Sequence, residues 1–255
     1  MFDSHFHVID PRFPLVPNQG FLPEPFTAAD YQKSTDGLGI TGGAVVSGSF
    51  QAFDQDYLLD ALATLGPAFV GVTQLPPDAD DDDIDALDSA GVRAARVNLR
   101  RGGPVTLEEV ERLARRVHAV AGWHVELSVD SADLEELAPT LEGLPRVVID
   151  HLGLSAAGLD HVLDLVAAGA KVKATGFGRV DLDVAATLDR IATVDPTALL
   201  FGTDLPSTRA PRPFSLLDVD LLVDALADED LVRAALWGNA VALYRPATTG
   251  PPVSS

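Results

Sequence analysis

Residues 106–129 read TLEEVERLARRVHAVAGWHVELSV. The first part carries Leu107, Val110, Leu113, Val117 and Val120 at helical spacing, so one face of a helix is apolar and the other charged. Thr106 stands three residues before Glu109, the spacing of a capping box. From His124 to Val129 the pattern becomes a short apolar run, which predicts a strand. A helix followed at once by a strand is the repeating half of an α/β fold.

Working outward, the same alternation recurs along the chain. Strands are predicted at Phe2–Val8, Ile40–Val46, Phe69–Gln74, Val92–Leu99, His124–Val129, Arg146–Ile149, Lys171–Ala174 and Leu199–Phe201. Helical periodicity lies between them at Asp54–Leu65, Leu107–Val120, Asp133–Leu141, Leu159–Ala168, Val184–Val194 and Leu217–Leu226. The acidic run Asp78–Asp83 reads as a solvated charge run or as a loop feeding a helix N-terminus, where carboxylates suit the dipole. Eight strands with intervening helices predict a single-domain, slightly distorted (β/α)8 barrel over residues 1–245, with its active site at the C-terminal ends of the strands. A doubly wound open sheet is the competing fold, and it would call for a glycine-rich phosphate fingerprint after the first strand, which is missing here. The proline-rich segment Asp10–Phe26 is expected to form a loop at the active site, and residues 246–255 have the composition of a poorly ordered tail.

The charge narrows the partners. Lys and Arg total 18 and Asp and Glu 38, a net charge of −20 among 255 residues. Such a chain repels phosphate backbones and anionic lipid surfaces, so neither nucleic acid nor membrane is an expected partner. The absence of cysteine excludes disulfides, thiolate metal sites and a cysteine nucleophile. No apolar run reaches the roughly 18 residues of a membrane span, and the opening lacks the basic-then-apolar pattern of a signal peptide. The expectation is a cytoplasmic protein with a small-molecule substrate. A homo-oligomer is compatible with these features.

Four residues stand where barrel chemistry occurs. His5 and His7 are two apart in the first strand, which places both on one face. His151 follows the sixth strand in Asp150-His151-Leu152-Gly153, and Asp204 follows the eighth in Gly202-Thr203-Asp204-Leu205-Pro206. In a barrel all four would meet in one small volume, where imidazoles either ligate a metal or donate hydrogen bonds to an oxygen. Arg96 and Asn98 share a face of the fourth strand, and Arg96 is a natural carboxylate clamp. Arg179 follows the seventh strand, Ser47 the second, and Gln74 ends the third. These five are candidate substrate-binding residues. Lys173 is a candidate supporting charge.

Taken together, the motifs resemble the amidohydrolase superfamily, in its 2-pyrone-4,6-dicarboxylate lactonase-like branch. The carriers are Asp3-Ser4-His5-Phe6-His7, Gly122-Trp123-His124-Val125, Asp150-His151-Leu152-Gly153, Val172-Lys173, Gly202-Thr203-Asp204, and Asn239-Ala240 with Leu243-Tyr244, a likeness running to about Arg245. The resemblance implies a lactonase-type hydrolase in which Asp204 activates water while His5, His7 and His151 polarise the carbonyl or hold a metal that does so. Metal-dependent relatives add a histidine at the end of strand five or a lysine at the end of strand four; here Ser128 stands at the first position and strand four has no lysine. No required metal is therefore expected, although His5, His7 and Asp204 could hold a single divalent ion such as Zn²⁺. Arg96, Arg179 and Ser47 fall where the branch keeps substrate contacts. Leu154 and Ser128 stand where it has an arginine and a tyrosine, which implies a substrate smaller or less anionic than a pyrone dicarboxylate. Two other readings are a metal-dependent decarboxylase or hydratase of a small carboxylic acid, and a non-catalytic barrel that binds a small ligand.

Overall fold

A computed structural model describes residues 1–100 and 106–249. The expected tail therefore lies outside the described residues from position 250 onward. Eight strands form one sheet in the order of the chain: β1 (Phe2–Phe6), β2 (Gly42–Val46), β3 (Phe69–Thr73), β4 (Val92–Asn98), β5 (His124–Ser128), β6 (Val147–Ile149), β7 (Lys171–Ala174) and β8 (Leu199–Phe201). Each pairs in parallel with its successor. Helices α1 (Ala28–Ser34), α2 (Asp56–Leu65), α3 (Asp81–Ser89), α4 (Leu107–Ala121), α5 (Leu134–Leu141), α6 (Leu159–Ala167), α7 (Val184–Val194) and α8 (Leu216–Leu226) follow the strands in turn. The fold is the predicted single-domain (β/α)8 barrel.

The ring is nearly closed, and the seam between β8 and β1 is made largely outside the strand ladders. The Asp204 amide donates to the His5 carbonyl at 2.7 Å, and the His7 amide to the Leu205 carbonyl at 2.8 Å. Below them the Asp3 carboxylate accepts from the Thr203 amide (2.8 Å), the Thr203 hydroxyl (2.7 Å), the Tyr31 hydroxyl (3.0 Å) and the His5 amide (3.2 Å). Burial pushes the Asp3 carboxyl up to about 6, with these donors opposing the rise. Asp3 thus ties β1, α1 and the end of β8 together.

Two apolar layers surround the sheet, as the period of two in its strands requires. The outer one packs helices on strands and holds residues such as Phe6, Leu58, Ile84, Val125 and Ile191. The inner one holds Phe2, Val46, Val72, Ala94, Val148 and Leu200. It is completed by Ala240 and Tyr244 of a last helix, α10 (Asn239–Tyr244), which follows α9 (Glu229–Arg233) and a π-helical turn at Ala234–Gly238. Tyr244 stacks on Phe2 with ring centroids 5.6 Å apart, which stops the barrel at its lower end.

One irregularity in β1 matters for function. Asp3 pairs with Gly43 and Phe6 with Val45, so three steps on β1 span two on β2. This bulge breaks strict alternation. Phe2 stays in the inner layer and Phe6 turns outward to stack on Tyr31 at 3.6 Å. His5 and His7 then point together into the mouth.

Short elements depart from the sequence expectation. Helix α1 was not predicted: it has seven residues and buries only Ala28 and Tyr31, too few to show a period. Its one local signal is the Thr27–Asp30 capping box. The acidic run is divided, with Asp80 capping α3 and Asp81, Asp82 and Asp83 filling its first turn. Among the described residues no helix is long and apolar enough to cross a membrane.

Candidate active site

The C-terminal strand ends bring His5, His7, His151 and Asp204 together, all of them buried. The Nε2 atoms of His5 and His7 each lie 3.9 Å from Asp204 Oδ1. The His5 ring sits 5.1 Å from the His7 ring and 4.8 Å from that of His151. His151 and Asp204 both adopt left-handed backbone, at φ 52° and 58°, and Leu152, Gly153 and Leu154 continue the left-handed run. Non-glycine residues pay roughly 1–3 kcal/mol for such conformations, which persist where the surroundings hold them. Here the strand ends turn sharply and aim both side chains over the barrel axis.

Each imidazole has a fixed neighbour. His7 Nδ1 is 2.7 Å from the Val46 carbonyl, His151 Nδ1 is 2.8 Å from the Thr175 hydroxyl, and His5 Nδ1 is 3.1 Å from Lys173 Nζ. Burial and the nearby cations Lys173, Arg96 and Arg179 keep all three rings neutral: His7 falls to about 3, and His5 and His151 lie well below the usual value. Asp204 moves the other way. Burial raises its carboxyl to about 7, against the pull of Arg179 and Arg96. Both of its oxygens, and Nε2 of His5, lack a hydrogen-bond partner among the described residues. Buried polar atoms without partners are uncommon. Here they mark a place built for a substrate, a water or an ion.

A charged floor lies beneath. Lys173 donates to Glu126 and is 3.7 Å from Asp150 Oδ1. Glu126 also accepts from the Tyr244 hydroxyl and lies 3.2 Å from His124 Nε2. Burial alone would raise the Glu126 and Asp150 carboxyls, but Lys173, and Arg96 beside Asp150, hold both below their usual values. Of this network the sequence names Arg96 and Lys173 as candidates but neither Glu126 nor the pairing. Its signal was present: Arg96, Glu126 and Lys173 each follow or precede apolar residues inside a barrel strand, and a charge buried there requires a partner.

The predicted substrate-binding residues divide. Arg96, Asn98 and Arg179 line a pocket over the imidazoles together with His7, Phe21, Phe50, Arg100, Ser128, Leu154 and Arg209. Phe21 comes from the long loop after β1, as expected, and Arg209 stacks on its ring at 4.2 Å. The enclosed space is about 50 Å³, room for a few waters. Ser47 and Gln74 do not line it. The Ser47 hydroxyl bonds that of Tyr57 at 2.6 Å, and the Gln74 amide donates to the Gly48 and Ala52 carbonyls. Both therefore shape the loops after β2 and β3. Arg96 is not a free clamp either: it donates to Asp150 at 3.1 and 3.3 Å and to the Ser47 carbonyl at 2.6 Å. Gly176 permits the close approach of the other arginine. At φ +63°, a Cβ there would lie 2.9 Å from His151 Nδ1 and 3.0 Å from Arg179 Cδ.

Spacing would allow a metal. His5, His7 and Asp204, and likewise His5, Asp150 and His151, bring three ligand atoms within 4.8 Å of one another. Charge fits a divalent ion poorly. Asp204 already faces Arg179 at 2.5 Å, Asp150 faces Arg96, and Glu126 faces Lys173. Three anions and three cations balance, and a divalent ion would add two uncompensated charges to a buried cluster.

The family model described as Amidohydrolase matches residues 2–245. A 2-pyrone-4,6-dicarboxylate hydrolase of Comamonas testosteroni is 27% identical over 96% of this chain and 90% of its own. A D-galactarolactone isomerase of Agrobacterium fabrum is 28% identical over 95% and 90%. The apo crystal structure of an Agrobacterium tumefaciens protein superposes with a TM-score of 0.85 at 27% identity, covering 96% of both chains.

Proposed function

The chain belongs to the amidohydrolase family, and on that premise we propose that it is a hydrolase that opens the ring ester of a small lactone. The observation that carries this reading is the Asp204 carboxyl, buried and raised to about 7, paired through Oδ2 with Arg179 and with Oδ1 3.9 Å from two neutral imidazoles. A base of that strength takes a proton from water near neutral pH. The hydroxide formed attacks the lactone carbonyl carbon, and negative charge builds on the carbonyl oxygen beside His5 and His151. When the tetrahedral intermediate collapses, the ring C–O bond breaks and Asp204 returns the proton to the leaving oxygen, giving the open-chain hydroxy acid. Preorganised N–H donors at the oxyanion supply roughly 3–4 kcal/mol each in comparable sites.

The substrate in this reading carries fewer negative charges than a pyrone dicarboxylate. Arg96 and Arg179 are already paired with carboxylates of the protein, and the apolar Leu154 lines the wall. Arg100 and Arg209 are left as the cations for a single carboxylate. No resident metal is part of the reaction, and the balanced charge of the cluster supports that.

The test is hydrolysis of a panel of mono- and dicarboxylic lactones, with and without chelator, using Asp204→Asn as the blank. Ring opening of monoanionic lactones that survives chelation is the expected result. Turnover of a dicarboxylic pyrone with high kcat/KM would refute the substrate class. Loss of all activity on chelation, restored by a divalent ion, would favour the metal-dependent decarboxylase or hydratase, for which the two three-residue groups could supply ligands.

A further inference from the structure

We infer that Lys173 is a positioning residue that sets the tautomer of His5 opposite to that of His7, so that the paired imidazoles do different work. The two rings are two residues apart and both present Nε2 to Asp204 Oδ1 at 3.9 Å. Their other nitrogens meet opposite partners. His7 Nδ1 faces the Val46 carbonyl at 2.7 Å. A carbonyl only accepts, so Nδ1 carries the proton and Nε2 presents a lone pair. His5 Nδ1 faces Lys173 Nζ at 3.1 Å. A lysine ammonium only donates, so Nδ1 must accept and the proton sits on Nε2. The competing arrangement would have Nδ1–H reach Asp150 Oδ1 at 3.4 Å. It would also set two donors against each other across the shorter 3.1 Å contact. Glu126 holds the ammonium in place from below, and neither lysine nor glutamate is accessible to solvent.

The consequence is a division of labour. His5 Nε2–H, a buried atom without an acceptor among the described residues, donates to the developing oxyanion. His7 Nε2 accepts from the attacking water and orients it toward the carbonyl. The same assignment denies a metal the Nε2 lone pair of His5. Lys173 thereby changes a ring with the placement of a metal ligand into a hydrogen-bond donor. The consequence for catalysis rests on the proposed hydrolysis; the tautomer itself does not.

The experiment is long-range ¹H–¹⁵N correlation NMR on protein labelled with ¹⁵N-histidine, with His5 and His7 assigned by single glutamine substitutions. The expected spectrum shows His5 protonated at Nε2 and His7 at Nδ1. Lys173→Met should switch His5 to the Nδ1–H form, donating to Asp150, and leave His7 unchanged. If the uncompensated Glu126 prevents that variant from folding, Glu126→Gln/Lys173→Met removes both charges and carries the same expectation. Zn²⁺ titration followed by calorimetry should show binding in the variant and none in the wild type. A wild-type His5 protonated at Nδ1, or an unchanged tautomer in the variant, would overturn the inference. Because none of these readouts involves turnover, failure here is distinct from failure of the lactonase reading, which the substrate panel judges. A lysine with a purely structural role would lower stability and leave the tautomer alone.

Discussion

Nη2 of Arg179 lies 2.5 Å from Oδ2 of Asp204, an ion pair of which the carboxylate is almost wholly buried. The contact is electrostatic more than directional: both Asp204 oxygens and Arg179 Nε lack a well-formed hydrogen bond, while Nη2 donates to the Thr208 carbonyl at 3.0 Å. The guanidinium therefore stabilises the charge on Asp204 through Oδ2 and leaves Oδ1 available to a water. The loop after β7 delivers the cation and the loop after β8 the anion, so the pair also ties the two loops together.

Asp204→Asn should abolish general-base catalysis, with a fall in kcat of about 10²–10⁴-fold. The same variant should be more stable at neutral pH. The folded state holds the Asp204 proton to about pH 7, whereas the unfolded chain releases it near 3.8. Between those values the native state binds more protons, so wild-type stability falls as pH rises. Asparagine removes this loss. The gain, of order 1–4 kcal/mol, should appear in melting curves as a Tm difference that widens from pH 4 to pH 7.

The activity profile should follow the same group with the opposite sense. Only deprotonated Asp204 accepts a proton from water, so kcat/KM should rise with pH and level off above about 7. The imidazoles add no limb in this range, because burial keeps them neutral. Arg179→Gln removes the cation that lowers Asp204 and should displace the rise to higher pH. An unmoved profile would show that a different group controls the rate.

Arginine substitutions should separate structure from binding. Arg96→Met strands the buried Asp150 charge and should cost roughly 3–5 kcal/mol, seen as a large drop in Tm. Arg100 is exposed at the pocket edge. Arg100→Gln should leave Tm unchanged and raise KM for an anionic lactone.

Gly176→Ala should damage the site without touching any group that does chemistry. The added methyl would lie within 3.0 Å of both His151 Nδ1 and the Arg179 side chain, at a backbone angle that alanine adopts with strain. A stability loss of about 1 kcal/mol or more and a lower kcat are expected. A crystal structure of the variant would show His151 or Arg179 displaced.

How much of this could be read in advance depends on the range of the interaction. The eight strands and the long helices were legible because their periods are local and their apolar faces continuous, as in α4. The sequence pattern also found the four residues at the mouth, since strand ends are where a barrel exposes side chains. It did not give the protein partners of Arg96, Ser47 and Gln74. Those partners are Asp150, Tyr57 and the Gly48 and Ala52 carbonyls, contacts between different elements that no local period encodes.

By itself, then, the order of residues determined the barrel, the direction of its open end and which imidazoles and carboxylate would gather there, because strand and helix periods follow from covalent geometry. Tertiary structure alone decided the rest: the bulge at Asp3–Phe6 that turns His5 and His7 inward, the pairing of Arg179 with Asp204, and the meeting of Lys173 with His5 across 168 positions of chain. Burial in a low-dielectric interior makes the protonation of each group depend on its neighbours, and neighbours are a property of the folded chain.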